Sequence, residues 1–208
     1  MAIQQTLVGL GNNPKFVGQT MTSERVVENI TFEYPSGYAG DTLVVFAVAD
    51  NLTVPELPAD WNTIYSNTTT AVNGSGSGRL LAYKKRGIDE SNSTVFVSGG
   101  GNINCVALRG FNQQFSNVTE WVANSSIGVV ANTTVKSRQI WVAMFNQDGA
   151  IANAVIDITN TTATFARSNN DTRSTAIGYV QNTYTTISKS NYFTIDAENA
   201  YGMTFLVT

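Results

Sequence analysis

"GDTLVVFAVAD", residues 40–50, places an unbroken apolar run between two aspartates. Eleven residues are too few to cross a bilayer as a helix, which takes about twenty. The run is rich in Val, Leu and Phe and is bounded by the turn formers Ser36-Gly37, Gly40 and Asp50-Asn51, so it reads as a buried strand. Asp41, at its mouth, is expected to act structurally by accepting backbone hydrogen bonds from the preceding "SGYAG" turn.

Working outward, similar strands are expected at 25–32, 79–84, 94–97 and 103–109, separated by turns such as "GSGSG" and "SGGGN". The second half repeats this order. Residues 42–51 align with 138–147, and 79–87 with 175–183, both at an offset of 96. At an offset of 98 the last two strands follow, which sets Ile103, Cys105 and Leu108 on Tyr201, Met203 and Leu206. No window keeps an apolar i, i+3, i+4, i+7 face between helix caps. The expected fold is all-β, a two-sheet β-sandwich or jelly roll of about ten strands with two pseudo-equivalent halves. The half-repeats run over about 24–112 and 121–208 within one domain, 21–208, preceded by an extension or arm at 1–20.

Composition excludes several functions. Charged residues are 13% of the 208, against about 25% in a typical domain, and Asn, Thr and Ser fill the polar positions. A net charge of −3 and a pI near 4.9 do not suit a counterion-release grip on nucleic acid. The one basic run, Lys84, Lys85 and Arg86, reads as a solvated strand end that discourages edge pairing. There is no histidine and one cysteine, Cys105. His-dependent triads, imidazole metal sites, an internal disulfide and multi-thiolate zinc are therefore out. Cys105 is read as a small buried residue sharing a strand face with Ile103 and Ala107. The N-terminus has neither a basic n-region nor a long apolar h-region, so the expectation is synthesis in a cytoplasm. The Asn-X-Ser/Thr triplets at Asn29, Asn67, Asn117 and Asn132 are read as compositional.

Candidate carboxylates for acid-base work are Asp60, Asp89, Glu90, Asp148, Asp171, Asp196 and Glu198. They fall at expected turns and strand ends, and no pair stands out as a glycosidase couple. "RSNNDT", with Asn169, Asn170 and Asp171, and "NQDG", with Asn146, Asp148 and Gly149, lack the acidic alternation of a calcium loop. "GLGNN" and "GSGSG" are not followed by Lys-Ser/Thr and make no phosphate loop. Trp61, Tyr65 and Trp121 could stack on sugar rings or pack under long loops. No catalytic, metal or cofactor residue is assigned.

The stretch at 40–50, followed by "VPELPADW", "RLLAYKKRG" and "NINCVALRGFN", resembles a group of β-sandwich virion proteins of tailed bacteriophages. The shared pattern is Gly40-Asp41, Pro58 with Trp61, Tyr83-Lys84, and Arg109-Gly110, over about a third of the chain. Asp60 stands where the pattern leads one to expect a Gly before the Trp. The resemblance implies a non-enzymatic role on a virus particle, decorating or cementing the capsid, with the major capsid protein or other virion subunits as partners. The alternative is a lectin-like module of a tail or head fibre that binds host-surface glycans. Neither nucleic acid nor membrane is an expected partner. The apolar residues of the first twenty, with Leu7, Leu10 and Phe16 as assembly contacts, either complete the edge of their own sandwich or reach a neighbouring subunit in a homo-oligomer such as a trimer.

Overall fold

The computed structural model describes residues 14–25, 27–70, 76–110, 113–123, 127–135, 138–148, 153–157, 163–170, 173–182, 187–196 and 200–208. Among these the chain is all-β, with fifteen strands: β1 (Lys15–Arg25), β2 (Asn29–Glu33), β3 (Thr42–Ala49), β4 (Asn62–Thr70), β5 (Gly76–Lys85), β6 (Asn92–Phe96), β7 (Gly100–Arg109), β8 (Phe115–Ala123), β9 (Ile127–Val135), β10 (Gln139–Asp148), β11 (Asn153–Asp157), β12 (Ala163–Asn170), β13 (Arg173–Asn182), β14 (Ile187–Asp196) and β15 (Ala200–Val207). They form two five-stranded sheets, β1-β7-β3-β5-β4 and β8-β15-β10-β13-β12, with smaller sheets β2-β6 and β11-β14-β9. The two large sheets have the same strand order, and β3 and β10 are their central strands.

The greasy run at 42–49 is explained by burial of β3 on both faces. Leu43, Val45, Ala47 and Ala49 join an outer core with Ile30, Phe32 and Val95 of the small β2-β6 sheet. Val44, Phe46 and Val48 point the other way, into a central core with Ile140, Val142 and Met144 of β10 and Met203 and Phe205 of β15. An antiparallel strand usually keeps one wet face and alternates. A strand covered on both faces reads as a continuous apolar run, and here all eight residues of β3 are buried. In β10, Trp141, Ala143 and Phe145 are buried as well as the central-core residues between them. The first large sheet thus carries a small sheet on its outer face, and the two large sheets meet face to face. The expected all-β sandwich is present, its two five-stranded sheets supplemented by the two small ones. In the first half, the strands expected at 25–32 and 94–97 are β2 and β6 of the small sheet, and the additional ones are the edge strands β1 and β4.

The repeat is real, but its register differs from the one the sequence suggests. Val44 faces Tyr83 across its ladder and Val142 faces Tyr179. With the two tyrosines equivalent, β3 corresponds to β10 at an offset of 98, two residues from the aligned value. Thr42 also faces Leu108, and Ile140 faces Val207, which sets β7 on β15 at 99. The alignment of Ile103 and Cys105 with Tyr201 and Met203 therefore fails. The first two lie in the outer core and the second two in the central core, because a one-residue slip exchanges the faces of a strand.

The N-terminal strand has a counterpart too. Phe16 faces Leu108 in β1, and Phe115 faces Val207 in β8. Both edge strands carry a register shift close to this point, between Phe16 and Gly18 in β1 and opposite Thr204–Leu206 in β8. Residues 15–20, expected in an extension, are thus hydrogen-bonded into the first large sheet. Leu7 and Leu10 lie outside the described residues.

Candidate functional site

Strands β3, β5 and β7 bring the start of one and the ends of two others to a single end of the sandwich. There Asp41 is held on three sides. Its carboxylate takes two hydrogen bonds from Arg109, Nε to Oδ1 at 2.6 Å and Nη2 to Oδ2 at 2.8 Å, and a third from the Tyr38 N–H at 2.8 Å. The turn role expected of Asp41 is present; the arginine partner was not foreseen. Burial pushes the Asp41 carboxyl up, but the Arg109 guanidinium and the Tyr38 N–H outweigh it and hold the group below the usual carboxylate range. Gly40 has φ +88°, a conformation that favours glycine, and its N–H donates to Arg86 O while Arg86 N–H donates to Asp41 O. Arg86 in turn donates to Pro35 O and Glu90 O.

These bonds fix two loops whose tips carry exposed apolar side chains. Tyr38 is 72% exposed and Ile88 81% exposed. The Arg109 guanidinium sits 4.7 Å from the Tyr38 ring centroid, a cation–π contact that immobilises a ring otherwise open to solvent. An exposed aromatic and an exposed aliphatic on rigid loops, flanked by arginines, can bind a partner surface.

Behind this end lies a second group. Lys84 is not the solvated strand end expected from the sequence: it is buried. Its Nζ contacts Asp60 Oδ2 at 2.6 Å and the Glu90 carboxylate at 2.9 and 3.0 Å, and lies 5.7 Å from both the Tyr34 and the Trp61 ring centroids. Burial pulls its pKa down, yet the two carboxylates outweigh that and raise it. Glu90 is anchored by the Gly87 N–H, which donates to Oε2 at 2.9 Å, and this bond followed by Lys84 lowers its pKa. Lys85 is exposed and donates to Thr42 Oγ1.

The remaining candidates disperse. Asp89 occupies a turn at φ +60°. Asp148 and Asp196 lie on β10 and β14, while Asp171 and Glu198 fall outside the described residues. Asn146 of the supposed calcium turn is buried and donates to Phe46 O and Asn102 O. Trp61 packs in the outer core, Tyr65 donates to Glu120 Oε2, and Trp121 Nε1 donates to Thr204 Oγ1. Phe16 stacks on Tyr179 of its own chain at 3.7 Å between ring centroids. Cys105 is buried, and burial pushes its thiol pKa up, as befits a core residue. A recess of about 290 Å³ lies between Val54–Leu57 and the strands β4 and β5, with Trp61, Thr63 and Ser66 in its lining.

A fully buried cation was missed altogether. Arg79 pairs with Glu120 of β8 and donates to Ser77 Oγ and Thr69 Oγ1, with its guanidinium 5.1 Å from the Tyr201 ring centroid. It ties the first large sheet to the second. The signal available in sequence was an arginine inside an apolar run, "GSGRLLAY", which calls for a partner carboxylate.

No family model, no curated protein and no solved structure matches the chain.

Proposed function

We propose that the protein is a non-enzymatic structural component of a tailed-bacteriophage particle, decorating or cementing the capsid, and that the Tyr38/Ile88 end is the face that meets the major capsid protein or another virion subunit. The observation that carries this reading is the combination of two solvent-open apolar tips with the rigid frame of Asp41, Arg86 and Arg109 beneath them. The residues of the phage-like pattern serve that frame: Gly40 and Asp41 make the turn, Arg109 closes it, Trp61 N–H donates to Pro58 O, and Lys84 sits under the loop. Ionic groups here have structural partners in place of a substrate. A glycan-binding fibre module is the second reading, favoured by the recess beside Trp61.

Quantitative mass spectrometry of purified particles and of tailless heads tests the proposal. Many copies on tailless heads are expected. A Tyr38→Ser, Ile88→Ser double variant should unfold like the parent and fail to bind heads. A protein found in few copies and only with tails, or a double variant that decorates heads normally, overturns it.

A further inference from the structure

We infer that Lys84 and Asp60 form an intramolecular amide cross-link, with Glu90 carrying the protons. This goes beyond the proposed function and does not depend on it. Three features support it. The Lys84 amine and the Asp60 carboxylate are in contact at 2.6 Å through one oxygen, Oδ2. Glu90 reaches the same nitrogen with both of its oxygens, at 2.9 and 3.0 Å, so a proton acceptor is in place on a second side. Finally, Lys84 is buried against Tyr34 and Trp61, which holds its amine in place beside the carboxylate and shields it from bulk water.

The chemistry balances without a co-reactant. The Lys84 ammonium gives one proton to Asp60 Oδ2, leaving a neutral amine beside a carboxylic acid. The nitrogen lone pair attacks Asp60 Cγ, forming the C–N bond, and the ionised Glu90 takes a second proton from that nitrogen. Glu90 then returns its proton to the departing hydroxyl as the C–O bond breaks. One ammonium and one carboxylate become one amide and one water, nothing is oxidised or reduced, and Glu90 ends as it began. In water this condensation is unfavourable, but fixed contact is equivalent to an effective concentration on the order of 10⁵ M or more. The Asp60 side chain is 55% exposed, which gives the water a way out. Asp60 is the acyl partner because Glu90 Oε2 is also held by the Gly87 N–H. The link would staple the open end of the β4–β5 hairpin, beside the Asn62–Tyr83 pair of its ladder.

The test is the intact mass of the purified, denatured full-length chain after prolonged incubation below its unfolding temperature. A loss of one water from the sequence mass is expected, together with a tryptic species joining the peptides that contain Asp60 and Lys84. Glu90→Gln should fold and keep the full mass. Lys84→Arg separates the cross-link from dehydration of Asp60 to a cyclic imide, since only the imide would survive in that variant. An unaltered parent mass, a water loss that persists in Lys84→Arg, or a link mapped to Glu90 overturns the inference.

Discussion

The two halves of the molecule share a plan and differ in charge. Both place a central strand buried on two faces in a five-stranded sheet, and both close one flank with an aromatic pair, Phe16 on Tyr179 and Phe115 on Tyr83. In the register of the ladders, Arg79 corresponds to Thr175, Lys84 to Val180, Glu120 to Met21, and the Asp41/Arg109 pair to Gln139 and Thr208. Asp41, Arg79, Lys84 and Arg109 of the first half thus stand where the second has neutral residues, and Glu120 of the second half stands where the first has Met21. The architecture therefore follows from which faces are buried, and the ionic pairs are not copied from one half to the other. The Asp41–Arg109 pair and the Lys84 group stiffen the end where Tyr38 and Ile88 are exposed.

The sharpest way to break this comparison is at Arg79 and Thr175. Arg79→Met strands Glu120 beside the central core without its cation, and loss of one partner of a buried pair costs about 3–5 kcal/mol. Thr175 is buried, and its hydroxyl has no hydrogen-bond partner among the described residues. Thr175→Val should therefore be neutral or slightly stabilising. Urea unfolding of the two variants checks both. Equal losses would mean that the two positions are not alternatives within one plan.

A second comparison uses acid. Asp41 has a depressed pKa in the fold, so its contribution is present above the unfolded value of about 3.9 and is lost as pH falls through the lower folded value. Glu90, also depressed, adds to the same window. Stability should fall below about pH 4. In Asp41→Asn the fall should be shallower, with a cost at neutral pH of about 2 kcal/mol, modest because Arg109 is 40% exposed. Gln139 occupies the matching place in the second half, so Gln139→Ala should leave the acid response unchanged. Thermal melts of the three proteins across the acid range decide it.

What could be read from the sequence follows the same division. Val, Leu and Phe in 42–49, and Ile, Trp, Val and Phe in 140–145, leave a strand little choice, and these central strands were legible, as was the pairing of halves. The edges were not. β1, "KFVGQTMTSER", and β8, "FSNVTEWVA", are short of apolar alternation because an edge strand packs along only part of one face, and each is displaced by a bulge. Register was lost for a related reason: Val and Ala recur so densely in a strand buried on both faces that a slip of one or two residues still matches apolar with apolar. The ionic groups were visible as single residues but not as pairs. Asp60 and Lys84 meet only when the ladder pairs the start of β4 with the end of β5, and Asp41 and Arg109 only when it sets the start of β3 beside the end of β7.

The smallest effect separates the two readings of Phe16. Its ring lies parallel to Tyr179, and its N–H donates to Gln181 Oε1, so it clamps β1 of the first large sheet to β13 of the second. Phe115 does the same on the opposite flank, tilted against Tyr83 and edge-on to Phe205. Leucine at either place keeps most of the apolar volume and removes the ring geometry, which is worth about 0.5–1.5 kcal/mol. Phe16→Leu should lower stability by about 1 kcal/mol and Phe115→Leu by slightly more, since Phe115 has a second ring partner. Neither should alter oligomeric state in sedimentation. A Phe16→Leu chain with unchanged stability and lost self-association would instead make Phe16 a subunit anchor, and the likeness of the two flanks would be a coincidence of side-chain type.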